Sequence, residues 1–315
     1  MEERRPGGEG VSSRREDDMP EFLSGISESG RSLGTPISFM IKNKDVRPED
    51  YEQLKDKFRP NHADFTYLRR YGIREWRGGG RASARETACR VVAGALAMQL
   101  LEGISIKSFL TAAGKAGERD LLERLSLNPR MAYRYEPDKE VARAIAAEIE
   151  SAREAKDSVG GTVTCIILLP SGIGNPVYGK LNARLAEAMM GINAAKGFEI
   201  GLGAELARRR GSEVIDEFFT DVPWEVYTKT NYSGGIQGGI SNGMPIFFNV
   251  HFKPTPTIGQ PMPLMDYDSI TVREVIRGRH DPCVAVRAVP VVKAMAALVV
   301  ANQMQQLPFR YGEWE

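Results

Sequence analysis

Cysteine is scarce in this chain of 315 residues: three, Cys89, Cys165 and Cys283, an odd number without a C-x-x-C pair. A disulfide framework and a structural zinc are therefore poor readings, and a reducing cytoplasm is the default compartment. Histidine is as rare, at His62, His251 and His280. No H-x-x-x-H, E-x-x-H or cysteine cluster occurs, which argues against a metal cofactor. A G-x-S-x-G nucleophile elbow is also missing. Charge of one sign is not in excess: 42 Lys and Arg face 41 Asp and Glu, a net +1. That speaks against a nucleic-acid coat or an acidic tail, while leaving room for a local basic patch. No apolar run approaches the ~18 residues of a membrane span. The longest, Cys165–Leu169 and Met295–Ala301, are core-sized. The first ten residues contain no apolar stretch of the kind a secretory signal needs. What remains is an ordinary globular balance, 42% apolar and 26% charged, enough for a sizeable core.

Residues 1–20 are polar and rich in Gly, Arg and Glu, and alone cannot order themselves by burial. Strands are expected at Glu21–Ile26, Thr35–Lys42, Glu102–Thr111, Thr162–Leu169, Pro245–Phe252 and Ile270–Ile276. Asp45 to Trp76 reads as a long loop-rich excursion, a place where function often resides. The strongest helix follows Gly78–Gly80. Ser83 and Glu86 match a capping box, and Ala88, Val91, Val92, Ala95 and Leu96 form its apolar face. Further helices are expected at Pro137–Lys156, at Leu181–Met190 ended by Gly191, and from Pro290 to about Gln305. The last is apolar on most sides and hence central. Strands come in groups between long helices, with no β-α-β alternation, no fixed-period repeat and no dividing linker. The fold class is α+β, antiparallel sheets packed on helices, rather than a parallel doubly wound sheet.

Four segments could carry chemistry. Gly78–Gly80 allows close approach of a ligand, the following helix N-terminus favours an anion, and Arg77, Arg81 and Arg85 add charge. A turn with solvated arginines is the bland alternative. Phe58–Tyr67 holds His62 and Asp64 two residues apart among aromatics, and such an imidazole can give or take a proton. Gly278-Arg-His-Asp-Pro-Cys283 wedges three charged or titratable residues between a strand and an apolar helix, where Asp281 could equally be a helix cap. Asn231–Gly243 is dense in glycine, either for close packing around a flat or charged ligand or for tight hairpins. Together they point to a multiply anionic ligand.

Taken in order, these segments resemble chorismate synthase from about Arg4 to Gln305. The resemblance is carried by Arg4-Arg-Pro-Gly7, Phe58-Arg-Pro-Asn-His-Ala-Asp64, Tyr71-Gly-Ile-Arg74 and Arg77-Gly-Gly-Gly-Arg-Ala-Ser-Ala-Arg-Glu-Thr-Ala88. Ile192-Asn-Ala-Ala-Lys-Gly197, Ser233-Gly-Gly-Ile-Gln-Gly-Gly-Ile-Ser241, Lys253-Pro-Thr255 and Gly278–Cys283 complete it. It implies one domain over 1–315, a β-α-β sandwich of antiparallel sheets around a central layer of helices, with residues 1–20 an arginine-rich loop ordered by ligand. It implies a homotetramer and a carbon–oxygen lyase of the shikimate pathway. That enzyme eliminates phosphate from 5-enolpyruvylshikimate 3-phosphate in the anti-1,4 sense to give chorismate, towards aromatic amino acids. The cofactor implied is reduced FMN, with NADP associated and a flavin reductase acting in trans. The flavin lends electron density so that phosphate leaves, then takes back an electron and a hydrogen from the ring. Neither nucleic acid nor membrane is an implied partner.

By motif position, Arg4, Ala84, Arg85 and Arg279 would hold the substrate's phosphate and carboxylates. His62 would lie by the flavin and donate to its ring, and Asp281 and Ser83 would relay the flavin N5 proton. Arg81, Ala82, Ser83, Asn193, Ala194, Gly238, Lys253, Pro254, Thr255, Pro256, Thr257 and Arg279 correspond to the family's FMN contacts. The departures are specific. The family's opening strand with Gly-Glu-Ser-His-Gly, whose histidine protonates the departing phosphate, has no counterpart in the 315 residues, which reads as truncation rather than decay. Glu3 stands for an arginine, another arginine is replaced around Gly8–Gly10, for which Arg14 is a candidate substitute, and Lys293 stands for a glutamate. A non-catalytic FMN- or phosphosugar-binding paralogue is the alternative. A single-strand RNA module built on Tyr67–Arg81 is a minor third reading, opposed by the near-zero net charge.

Overall fold

Cys165–Leu169 is the apolar run around which the molecule is built. A strand that apolar is stable only when both faces are covered. The computed structural model describes residues 1, 4, 18–44, 48–222, 225–278 and 280–306. In chain order its elements are β1 (Pro20–Ser24), β2 (Ser38–Ile41), β3 (Lys57–Phe58), α1 (Asp64–Tyr71), α2 (Thr87–Met98), β4 (Ser105–Ala113), β5 (Ala116–Gly117), α3 (Leu121–Leu127), α4 (Lys139–Glu154) and β6 (Gly161–Leu168). They continue with α5 (Leu181–Met190), β7 (Ala195–Ile200), β8 (Phe218–Val222), β9 (Glu225–Thr228), β10 (Ile236–Gln237), β11 (Ile240–Ser241), β12 (Ile246–Phe252), β13 (Met262–Asp266), β14 (Thr271–Glu274) and α6 (Val284–Gln305).

β6 is central in an antiparallel five-stranded sheet of order β5-β4-β6-β12-β7. The strand period of two sends Val163, Cys165 and Ile167 to one face, with Phe248 and Val250 of β12, where α2, α4, α5 and α6 contribute to one core. Ile166 and Phe247 point the other way and are covered by α3 and the turn to Tyr135. This is the α+β arrangement of helices on antiparallel strands that the sequence implied. A second, three-stranded sheet, β14-β13-β3, carries its own small core of Leu54, Met262, Leu264 and Ile276. β1–β2, β8–β9 and β10–β11 are two-stranded.

α6 is long and apolar enough, by length and composition, to cross a membrane, with a mean hydropathy of 2.0 over its best 18 residues. It is instead a core helix: Val291, Val292, Ala294, Ala296, Ala297 and Val300 are buried against the sheet and α2. It starts at Val284, so Pro290 lies inside it, not at its start. Its cap position is Cys283, not Asp281.

Other local expectations change as well. The stretch 45–76 contains a 3₁₀ turn at Pro48–Leu54 and the helix α1, so it is not simply loop. The Ser83–Glu86 capping box does not close. Ser83 Oγ accepts from the Arg85 amide at 3.3 Å, while Glu86 pairs with Arg90, and α2 begins one residue later. On α2, Ala95 faces solvent, and Gly94 and Ala97 are buried instead. The helix expected at Leu181–Met190 is present as α5, and Gly191 ends it in a right-handed conformation, φ −73°.

Candidate active site

The segments singled out in the sequence leave the layered core at one edge and converge. The turn after β3, the glycine run before α2, the turn into β7, the chain after β12 and the approach to α6 together line a cavity of about 480 Å³. That volume is in the range of small-molecule sites. Among the described residues its wall carries seven Lys and Arg, including Arg81, Lys196 and Arg277, against two aspartates, Asp50 and Asp281. A surplus of fixed cations in a concave site selects an anionic ligand.

The cavity brings together most of the expected residues. His62, Arg81, Ala82, Ser83, Ala84, Arg85, Asn193, Ala194, Lys253, Thr255, Pro256, Thr257 and Asp281 line it. Pro254 and Gly238 are not on the wall. Gly238 sits in the β10–β11 turn, so the Asn231–Gly243 glycines serve at least in part a tight hairpin. Arg279, like residues 2–3 and 5–17 with Gly8–Gly10 and Arg14, lies outside the described residues. Arg4 is off the wall and 1% exposed. Its guanidinium donates to Asp18 Oδ2 at 2.9 Å, to Thr87 Oγ1 and to the Ala84 and Arg85 carbonyls. Arg85 pairs with the other oxygen of Asp18 at 2.8 Å. A buried Asp18 thus organises both arginines beneath the glycine-run turn.

His62 is held most elaborately. Its Nδ1 is 2.8 Å from Asp64 Oδ1, and Asp64 also accepts from Arg59 N, Nε and Nη2 at 3.1, 2.8 and 2.9 Å. Arg74 Nη1 lies 3.4 Å from the same carboxylate and its Nη2 donates to the Leu54, Lys55 and Lys57 carbonyls. Burial works to raise the Asp64 pKa, but the hydrogen bonds from Arg59 and His62 prevail and hold it well below the usual carboxylate range. Burial lowers the His62 pKa; the Asp64 hydrogen bond opposes this, and Arg59 and Lys253 add to the lowering. The other ring edge meets Gly79: a Cβ added there would lie 3.5 Å from His62 Cε1. Lys253 Nζ reaches the Asn61 carbonyl and ties this turn to the end of β12. Its pKa is lowered by burial and by Lys196.

Asp281 Oδ2 accepts from Arg287 Nη1 at 3.3 Å, one turn into α6. Ala194 takes a left-handed conformation, φ 70°, uncommon without glycine, and its carbonyl accepts from Lys253 N. Thr255 Oγ1 is buried without a hydrogen-bond partner on the cavity wall, an acceptor and donor left for a ligand. Arg81, Lys196, Lys253, Asn193 and Thr255 on one wall offer the charge and hydrogen-bonding groups that a phosphate-bearing cofactor of the FMN type requires.

Residues not foreseen are Arg59, Asn61, Lys196, Arg277, His280 and Arg287, all on the wall. Arg59, Asn61, Lys196, Arg277 and His280 lie within four residues of a predicted site residue, which was the available signal. Arg287 had none, because six residues separate it from Asp281 across the start of a helix. Lys293 is elsewhere, in a surface groove with Lys107 and Glu136. His251 is on the sheet face away from α6, between Thr162 Oγ1 at 3.0 Å and Glu199 Oε2 at 2.9 Å.

Fold and cavity define an α+β protein with a cationic, ligand-sized cleft beside a buried histidine–aspartate pair. A sequence model of the chorismate synthase family matches residues 1–305. The chain is 50% identical over 314 residues to a chorismate synthase of Christiangramia forsetii, covering 97% of this chain and 86% of the relative. It is 44% identical over 315 residues to one from Synechocystis sp., with 96% and 85% covered. A crystal structure of a chorismate synthase superimposes with a TM-score of 0.68 at 31% identity, covering 91% of this chain and 78% of the other. The chain belongs to the chorismate synthase family, a family of lyases.

Proposed function

We propose that the chain catalyses the 1,4-elimination of phosphate from 5-enolpyruvylshikimate 3-phosphate, giving chorismate, with reduced FMN as cofactor. The observation that carries this reading is the convergence of five separate segments, 59–63, 81–85, 193–196, 253–257 and 276–287, on one cationic cavity beside His62. The substrate bears a phosphate and two carboxylates, and the wall has charge to match. Arg81, Asn193, Lys253, Thr255 and Thr257 would hold the flavin and its phosphate, and Arg85, Arg277 and Arg279 the substrate anions. Reduced FMN, when bound, would supply an electron-rich ring that lends electron density to the substrate as phosphate leaves.

The chain's own part is to place and protonate. His62 Nδ1 is taken up by Asp64 at 2.8 Å, which leaves Nε2 as the ring atom that would exchange a proton with the ligand. Asp281 and Ser83 lie on the same wall, where a carboxylate and a hydroxyl can pass one proton between ligand and solvent. Arg287 Nη1 pairs with Asp281 Oδ2 at 3.3 Å and fixes that carboxylate on the wall. His62 and His280 are the imidazoles on the wall and the candidates to assist the departing phosphate. In keeping with the family the assembly would be a homotetramer in the cytoplasm, supplied with reduced flavin by an NADP-linked reductase. The paralogue alternative, binding without turnover, gains no separate support.

The test is chorismate formation from the phosphorylated substrate with chemically reduced FMN under anaerobic conditions. Chorismate and phosphate should appear in equal amounts. Flavin binding without either product would leave the non-catalytic reading.

A further inference from the structure

Buried ionised carboxylates require compensation, and Asp64 receives more of it than an isolated structural aspartate needs. We infer that Asp64 is a positioning residue, holding the His62 imidazole by its Nδ1–H and turning Nε2 to the cavity, and that Arg59 neutralises the carboxylate that does so. The kinetic part of this inference rests on the proposed elimination; its structural part does not.

The argument starts from the two neighbours of Nδ1. Asp64 Oδ1 is 2.8 Å away and Arg59 Nη2 is 3.0 Å away. An ionised carboxylate can only accept, so a bare Nδ1 against it would place two lone pairs face to face. The hydrogen is therefore on Nδ1. Arg59 Nη2 then cannot donate to that nitrogen, and its proton goes to Oδ1 at 2.9 Å. In the neutral ring Nε2 is left as a lone pair; in the cation it is a donor to whatever fills the cavity.

An uncompensated carboxylate at this distance would favour the cationic ring and raise its pKa. Arg59 forks across both carboxylate oxygens, its Nη1 reaches Thr257 Oγ1 at 3.3 Å, and Arg74 Nη1 adds a second guanidinium 3.4 Å from Oδ1. Lys253, beyond the end of β12, is the other charge acting on the ring. The ring's protonation is thus balanced between Asp64 on one side and Arg59, Lys253 and burial on the other, so a reversible proton transfer at Nε2 remains open.

Three histidines make the test direct, because a His62→Asn control assigns the signal. Long-range ¹H–¹⁵N correlation on the ligand-free chain reads tautomer and titration together. The expected result is the Nδ1–H tautomer for His62. Asp64→Asn should lower its titration midpoint and mix the tautomers; Arg59→Gln should raise the midpoint. A wild-type Nε2–H tautomer overturns the inference without any variant, as do midpoints that move in the same direction in both. In the activity assay Asp64→Asn should lower kcat by ~10-fold or more with KM little changed, and shift the acidic limb of the pH–rate profile. A loss of activity with an unmoved profile would mark Asp64 as merely structural. An inactive wild type with the expected tautomer would sink the elimination reading and leave the positioning role standing.

Discussion

Two histidine–carboxylate pairs occur in this molecule at nearly the same distance. His62–Asp64 closes at 2.8 Å and His251–Glu199 at 2.9 Å. Their surroundings differ. The side chains of His62 and Asp64 are 14% and 3% exposed, with Arg59 and Arg74 on the carboxylate. Those of His251 and Glu199 are 38% and 32% exposed, on the face of a sheet, with a threonine hydroxyl as the other neighbour. Solvent screening makes the second pair a minor contributor, while burial makes every charge around the first consequential. A histidine–carboxylate pair is thus a partly exposed surface contact in one place and a buried, arginine-clamped one in the other, and arginine and depth make the difference.

The comparison breaks most sharply on function. His62→Ala should lower the rate of chorismate formation by ~10²–10⁴-fold, the range of a lost acid–base group, and His251→Ala should leave it close to wild type. Steady-state kinetics on the two variants decide this; equal losses would erase the distinction. Stability comes next. Asp64→Ala strands buried guanidinium groups and should cost about 3–5 kcal/mol, while Glu199→Ala should cost about 0–1 kcal/mol, both measured by urea unfolding. A smaller effect is the pH dependence. The Asp64 pKa is lowered on folding, so its stabilisation is complete above the ordinary value of 3.8 and fades as pH falls below it. The His62 pKa is also lowered, from 6.5, so the unfolded chain takes up that proton first and the folded state loses ground as pH drops through the value. Between about pH 7 and about pH 5 the urea midpoint should therefore fall in the wild type, and fall less in His62→Asn.

What could be read beforehand follows the physics of each part. The central strand and α6 were legible because burial writes apolar runs. α1 was not: of Asp64-Phe-Thr-Tyr-Leu-Arg-Arg-Tyr71 only Asp64 is buried, so no apolar stripe marks it. On α2 the buried face turned towards Gly94, since a Cβ there would meet the Ala294 Cα at 2.4 Å. Close helix approach depends on what the partner helix presents, which a local pattern does not contain. In the site, the glycine run, His62 and the Lys253–Thr257 segment were visible as motifs; Arg74 was visible only as the end of Tyr71-Gly-Ile-Arg74, without its role on Asp64, and Arg287 acts across folded distance. Arg4, expected on a ligand, is instead engaged by a buried Asp18.

The central claim is that one cationic cavity receives flavin and phosphorylated substrate together. Anaerobic titration of reduced FMN into the purified chain, followed by flavin absorbance with and without 5-enolpyruvylshikimate 3-phosphate, tests it directly. The account predicts a spectral change that saturates at lower flavin concentration when substrate is present, and that weakens in Arg81→Ala. No spectral change at millimolar protein, with the fold intact by circular dichroism, would contradict it.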